Sequence, residues 1–181
     1  MLAEEAITLK VVQLRLGVPQ HVLINLCEKS VIEPDFADTS GRGKRREFSE
    51  RNVFEFAVAL ALRRFDLPVP TTGLLVRLLR AFGRSVGKTI PGFSLPDSLI
   101  EKNIELSLSL LDADILVLQT SGGGLRKPLV LTAAVGAALE GKSRVVPRVV
   151  PLDAMPSTYE ARIEVNVAEI ARKISKTALP K

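Results

Sequence analysis

Residues 9–34 read LKVVQLRLGVPQHVLINLCEKSVIEP, and they hold two short helix patterns on either side of a glycine. Apolar residues in the first pattern (residues 9–16) recur at spacings of three and four, the period of an amphipathic helix. Gly17 ends that pattern. Pro19 suits the start of a second helix that runs to about Lys29, because the missing N–H of proline is not needed there. Two short helices joined across a turn with glycine predict a helix-turn-helix.

A basic loop follows the second helix. Residues 31–34 leave the helix in an extended pattern, and residues 38–48 then read DTSGRGKRREF. Two glycines in a polar segment with extended flanks predict a β-hairpin, or wing. Its cationic side chains are Arg42, Lys44, Arg45 and Arg46. Residues 1–90 carry 14 Lys and Arg against 10 Asp and Glu, whereas residues 91–181 carry 11 against 10, so the positive excess lies in the first half.

Two further helices and a linker are predicted after the wing. Ser49 caps a third helix, although Asn52 stands where a complete capping box has Glu or Gln. The prolines of residues 67–70 end that helix, and a fourth follows to about Phe82. A cluster of helix breakers then predicts an irregular linker over residues 84–97. These breakers are Gly83, Gly87, Pro91, Gly92 and Pro96.

The second half changes from a helical to a strand period. Residues 104–110 alternate apolar and polar side chains, as a half-buried strand does. Asn166 is placed to cap a last helix with one apolar face. The other predicted elements are strands at 115–118, 129–131 and 159–165, a helix at 133–140, and an irregular or edge segment at 144–156. The order β-β-β-α-β-α predicts one small sheet with helices on a face.

The whole chain is therefore predicted to be an α+β protein. A mostly helical winged helix-turn-helix domain occupies residues 1–83, a linker residues 84–97, and a small α/β domain residues 98–181. The first residues lack the positive segment of a signal peptide, and no apolar run reaches the length of about 18 residues that a membrane helix needs. We therefore expect a soluble, cytoplasmic protein with no membrane partner.

The residue types that most enzymes and metal sites need are scarce. Cys27 is the single cysteine and His21 the single histidine, which excludes a disulfide framework and most zinc chemistry. Residues 83–89 look like a phosphate-binding loop, but Phe82 stands where the first glycine of that motif belongs. Since no nucleophile and base form a recognisable pair, we expect neither enzyme activity nor a cofactor nor a metal.

Three remaining features are interpreted structurally. Cys27 is expected to be an inert residue of the core. Asp112 and Asp114 are expected to be solvated residues of a turn, and residues 120–124 (TSGGG) to form a hairpin turn instead of a cradle for an anion.

The first half resembles the DNA-binding domain of the MerR family of bacterial transcription regulators. The resemblance rests on residues 9–34, on GRGKRREFSERNV at residues 41–53, and on the two helices that run to Phe82. It covers roughly residues 7–83. It implies that the second helix enters the major groove of DNA and that the wing holds the flanking backbone.

Nine side chains are candidate DNA contacts. Gln20, His21 and Asn25 are expected on the exposed side of the second helix, where they can reach base edges. His21 can equally be solvated, and Asn25 can bond a neighbouring backbone group. The cationic candidates are assigned to phosphates because backbone neutralisation needs positive charge. They are Lys29, Arg42, Lys44, Arg45, Arg46 and Arg51, of which Arg46 best matches the family's wing arginine.

The sequence departs from the family pattern at several points. Residues 24–27 (INLC) replace an Arg-aromatic-aromatic-Glu signature, so the footprint on DNA should be weaker or differently placed. Gln13 stands where the first helix normally has Ala. Gly83, Gly87 and Pro91 are expected to prevent the long dimerisation helix that the family places after its fourth helix, and the lack of a cysteine cluster excludes classical metal sensing.

We therefore expect a sequence-specific transcriptional regulator of the MerR-like type that binds double-stranded DNA as a homodimer, because two recognition helices read more base pairs than one. Dimerisation would fall to the second domain, through its last helix or residues 144–156. That domain can also take a small-molecule or protein effector. Two alternatives stay open: a protein–protein interaction module whose winged helix no longer binds DNA, and an architectural or antitoxin DNA-binding protein.

Overall fold

The computed structural model describes residues 6–36, 46–123, 125, 127–139 and 145–177. The chain divides into two compact units, of which the first comprises residues 1–76 with residues 172–181 and the second residues 77–171. Helices and strands occur in both, so the prediction of a mixed α+β protein is confirmed. The functional division into domains 1–83 and 98–181 stays a prediction.

The first unit is mostly helical. Its elements are β1 (Ile7–Thr8), α1 (Leu9–Leu16), α2 (Gln20–Glu28), β2 (Glu47–Phe48), α3 (Glu50–Arg63) and the start of α4 (Val69–Thr89). Helices α1 and α2 lie where the sequence predicted them, and Gly17 between them has the left-handed backbone (φ 64°) that ends α1. Phe48 and Phe56 are fully buried and meet edge to face with ring centroids 5.3 Å apart, which is a favoured aromatic geometry.

The base of the predicted wing is paired differently from the prediction. Strand β2 pairs antiparallel with β1. Residues 31–34, expected to be extended as the other flank, form no strand. The Phe36 backbone N–H donates to the Glu47 carbonyl oxygen at 3.4 Å, which joins the two ends of the basic loop. Residues 37–45, the predicted tip of the wing, lie outside the described residues.

Helix α4 is longer than predicted, because the expected helix breakers do not end it. It continues to Thr89, whereas the sequence predicted an end near Phe82 and an irregular linker beyond it. A Cβ at Gly83 would lie 2.9 Å from Leu95 Cδ1, and one at Gly87 would lie 3.0 Å from a backbone carbonyl oxygen of the same returning segment. These glycines therefore give that segment room to pack against the helix, and they do not end it.

The second unit is built on a five-stranded antiparallel sheet. Besides the rest of α4, its elements are α5 (Asp97–Glu101), β3 (Ile104–Leu111), β4 (Ile115–Gly122), β5 (Leu129–Ala134), α6 (Gly136–Leu139), β6 (Arg148–Val150), a 3₁₀ turn (Leu152–Ala154), β7 (Arg162–Asn166) and the start of α7 (Val167–Lys176). The strand order is β6-β5-β4-β3-β7. The chain thus runs as a meander from β3 to β6, and β7 returns to the far side of β3.

The predicted strands of this unit are present, and the expected helix is shorter. Residues 133–134, predicted as the start of a helix, complete β5, so α6 is a single turn. Residues 144–156, predicted to be irregular or an edge, contain the edge strand β6. The Asn166 side chain accepts the Glu169 backbone N–H at 2.9 Å, which confirms the predicted cap of the last helix.

The two faces of the sheet differ in polarity. Leu108, Leu118 and Leu131 are neighbours across β3, β4 and β5, and all are buried on one face. The opposite face carries Ser107 and Gln119, which are half-buried. A small apolar cluster lies on that second face, and its buried members are Leu111, Val117 and Val130. The alternation predicted for residues 104–110 therefore corresponds to one apolar and one mixed face.

Candidate nucleic-acid interface

Helix α2 presents the candidate base-reading residues on its exposed side. Leu23 and Leu26 are fully buried, and they fix the opposite side of the helix against the core of the first unit. Gln20, His21 and Asn25 are all exposed. Because His21 and Asn25 are four residues apart, they lie one turn from each other on the same face of the helix. The structure thus exposes all three predicted base contacts and places His21 and Asn25 on one face of the helix.

The candidate phosphate contacts are divided among α2, the basic loop and the first turn of α3, which holds Arg51. Lys29 is exposed at the C-cap of α2, one turn beyond Asn25. Arg46 is half-buried directly before β2. The other three cations of the wing, Arg42, Lys44 and Arg45, lie outside the described residues. Lys29 therefore extends the α2 surface, while the contacts at the wing tip stay predictions.

Arg51 is engaged by an acidic neighbour. Its Nε donates to Asp35 Oδ2 at 3.1 Å, and its Nη2 donates to Asp35 Oδ1 at 2.8 Å. A bidentate pair of this kind combines charge attraction with matched planar geometry, so it is among the stronger side-chain contacts. A phosphate would have to compete with Asp35 for this guanidinium.

A cluster of polar groups around Asn52 was not predicted from the sequence. Ser49 Oγ accepts the Asn52 backbone N–H at 3.1 Å, and Asn52 Oδ1 accepts the Ser49 backbone N–H at 3.2 Å. The predicted incomplete cap is therefore wrong, because the shorter amide side chain makes the reciprocal bond that Glu or Gln usually makes. The signal available in the sequence was the asparagine at the third helical position, whereas its partners before the basic loop lie 17 and 19 positions earlier.

Arg15 connects the first helix to the third. Its Nη1 lies 2.6 Å from Glu50 Oε1, and the Arg15 side chain is only 11% exposed. Its Nε is buried and has no hydrogen-bond partner. This ion pair holds α1 to the first turn of α3.

The acidic turn residues of the second unit support its connections. Asp112 Oδ1 accepts the backbone N–H groups of Glu160 at 2.9 Å and Ala161 at 2.8 Å. Asp114 Oδ1 accepts the Gly136 backbone N–H at 3.0 Å. Both aspartates are exposed, as expected, but each also ties the β3–β4 turn to a second segment. Among the described residues, no cluster of His, Cys, Asp and Glu could hold a metal ion.

The second unit also contains an open cavity of about 430 Å³ beside strands β5 and β6. Small side chains such as Ala134 and Ala154 leave this space, while Thr132 supplies a hydroxyl and Arg148 a cation. Its volume is within the range of small-molecule sites.

Cys27 is half-buried on α2, less enclosed than the core position predicted for it.

Family models and curated proteins do not identify a relative of this chain. No protein-family model matches the chain, and no curated protein matches it significantly. Within the described part of the chain, no helix combines the length and the apolar character that crossing a membrane requires. The function is therefore inferred from the residues and their geometry.

Proposed function

We propose that this protein is a sequence-specific DNA-binding transcriptional regulator whose first unit is a winged helix-turn-helix of the MerR-like type. The observation that carries the proposal is the exposed side of α2 beyond the Gly17 turn, where Gln20 begins the helix and His21 and Asn25 share one face. The major groove of DNA admits an α-helix, and amide and imidazole groups near a helix start can bond to base edges there.

The basic loop supplies the phosphate contacts in this proposal. Four cations lie within residues 42–46, and β2 and Ser49 lead from this stretch into α3. Each phosphate that a Lys or Arg neutralises releases condensed counterions, so such contacts make affinity fall as salt rises. Base contacts by α2 would add sequence preference to this general attraction.

The regulator acts as a homodimer on two half-sites of double-stranded DNA, because one short helix and one wing cover only a few base pairs. In this proposal, the dimer forms through helix α7 or residues 144–156. The cavity beside β5 and β6 is the place for a small-molecule effector, and the same unit is the place for a protein effector. The proposed protein works in the cytoplasm at the nucleoid, without enzymatic activity or a cofactor.

A salt titration of DNA binding tests the proposal. The fluorescence anisotropy of a labelled duplex is followed with the wild type and with the double variant Arg45→Ala/Arg46→Ala. Wild-type affinity should fall steeply with salt. The plot of log K against log salt should be less steep for the double variant by about 2, since each lost phosphate contact reduces the magnitude of the slope by about 0.9. Genome-wide crosslinking to DNA then supplies the target site.

The matched control is Arg63→Ala/Arg64→Ala, a second pair of adjacent arginines in the first unit, which is exposed at the end of α3. It removes the same charge outside the proposed interface, so its slope should equal that of the wild type. Equal binding by the wild type and the Arg45/Arg46 variant favours the alternative of a protein–protein interaction module. Salt-dependent binding without any preferred target site favours the architectural alternative.

A further inference from the structure

Asn52 uses its whole hydrogen-bonding capacity. Its side chain is fully buried, and its Oδ1 accepts the backbone N–H groups of Asp35 at 2.8 Å and Ser49 at 3.2 Å. Its Nδ2 donates to the Glu33 carbonyl oxygen at 2.9 Å and to Glu55 Oε2 at 3.2 Å. An amide side chain has two donors and two acceptor lone pairs, so no capacity is left. Glu33 and Asp35 precede the basic loop and Ser49 follows it, so one side chain holds both ends.

The Asp35 carboxylate makes a second connection between the same segments. It accepts a hydrogen bond from the Ser49 hydroxyl and the two bonds from Arg51. The Asp35 side chain is 13% exposed, against 41% for Arg51, so the carboxylate is largely shielded from water by its partners. Since Ser49 caps α3 and Arg51 lies in its first turn, the segment before the basic loop is fastened to the helix that follows the loop.

We propose that Asp35, Ser49, Arg51 and Asn52 form a clamp that positions the basic loop for contact with DNA. Arg51 is then a positioning residue that acts through Asp35, and it does not bind phosphate as its charge alone suggested. The inference rests on the proposed function. Its physical basis is preorganisation, because a loop whose ends are already fixed loses less conformational freedom on binding.

The direction in which an Asp35 substitution changes DNA affinity distinguishes a positioning role of Arg51 from a direct phosphate contact. If Arg51 bound phosphate, Asp35→Asn would release it and remove a negative charge, and DNA would bind more tightly. If the cluster is a clamp, Asp35→Asn loosens the base of the loop and DNA binds about tenfold more weakly, the size typical of coupled neighbours. Arg51→Ala should weaken binding to a similar degree, and the double variant should be no weaker than either single variant.

The salt dependence supplies a readout that a general loss of structure would not mimic. A loop with a loosened base still places its cations on the phosphates, but at an entropic cost, so the slope of log K against log salt stays at the wild-type value. Removal of a true phosphate contact lowers that slope by about 0.9. The control is Glu47→Gln, which removes one negative charge at the same loop base from a side chain outside the clamp. It should leave binding unchanged or tighten it.

Limited proteolysis tests the clamp without DNA. Trypsin cleaves after Arg51, which lies in the first turn of α3 and bonds to Asp35, and mass spectrometry locates the cut. When reclosing is fast, cleavage follows the population of the open state, so Asp35→Asn should raise the initial rate at this site about tenfold while Glu47→Gln leaves it unchanged.

The outcomes separate the two proposals. Wild-type or tighter DNA binding by Asp35→Asn, a lower salt slope for Arg51→Ala, or unchanged tryptic rates would each overturn the clamp while DNA binding itself stands. A wild-type protein that binds no DNA at low salt would overturn the proposed function, and the tryptic rates would then decide whether the cluster restrains the loop.

Discussion

In both units, polar side chains join separate segments of the chain, but these side chains are buried in the first unit and exposed in the second. In the first unit, Asn52 is fully buried and joins segments on both sides of the basic loop. In the second, Asp112 and Asp114 are exposed, and each joins the β3–β4 turn to one other segment. A buried group that loses its partner stays unsatisfied, whereas an exposed group is taken up by water. The buried polar contacts of the first unit should therefore be the most costly to disturb.

The largest effect is expected from Asn52→Ala. The substitution leaves the groups that bonded to Asn52 without that partner in a dry environment, and each such group costs about 1–3 kcal/mol. We expect the free energy of unfolding in urea to fall by about 4 kcal/mol, allowing for partial relaxation. A loss below 1 kcal/mol would show that water reaches the cluster and would remove the contrast between the units.

Asn25→Ala is the matched control, since it removes the same side chain from the exposed face of α2. Its free energy of unfolding should stay within about 0.5 kcal/mol of the wild type, as for most surface substitutions. Its discrimination between target and non-target duplexes should instead fall by about 1–2 kcal/mol, because a base-edge contact is lost. The two asparagines would thus separate stability from recognition.

The next largest loss of stability is expected at a glycine of the second unit, and a glycine of the first unit serves for comparison. A Cβ at Gly123 (φ 58°) would overlap the Ile104 side chain and lie 2.8 Å from the Lys102 carbonyl oxygen, whereas a Cβ at Gly17 (φ 64°) would meet nothing within 4 Å. Gly17→Ala should therefore cost about 1 kcal/mol for its backbone conformation alone. Gly123→Ala should cost about 3 kcal/mol because a steric clash is added. Thermal unfolding measures both, and equal losses would contradict the predicted clash.

A small effect, similar to that of Gly17→Ala, is expected from Asp114→Ala in the second unit. It removes one exposed hydrogen bond to the Gly136 backbone N–H, which water can replace. The expected loss is about 1 kcal/mol, the usual net contribution of a single hydrogen bond. Urea unfolding provides the measurement, and a loss as large as that of Asn52→Ala would mean that exposure does not determine the cost.

Local sequence patterns were sufficient for most elements. The spacing of apolar residues, Gly17 and Pro19 located α1 and α2, and the alternation after residue 103 located β3. These features depend on neighbouring residues, which the sequence displays directly. The exposure of Gln20, His21 and Asn25 follows from the same helical period, so the α2 surface was predictable as well.

Features that depend on distant contacts were not predictable. The predicted end of α4 was wrong because Gly83 packs against Leu95. A glycine ends a helix only where no tertiary contact stabilises the next turn. The clamp was missed because Asn52 bonds to residues 17 and 19 positions earlier, and no local pattern reports such a pair. The contact between Arg51 and Asp35 was missed for the same reason, since the charge of Arg51 is visible in the sequence and its partner is not.

Strand β6 carries a further consequence for the behaviour of the protein at high concentration. It forms one edge of the sheet, with three residues bracketed by Pro147 and Pro151. A free sheet edge is a template on which another chain can add a strand, but proline has no N–H to offer. This edge is therefore a poor seed for aggregation. Replacing both prolines with threonine should lengthen the template and speed the formation of intermolecular sheet on heating.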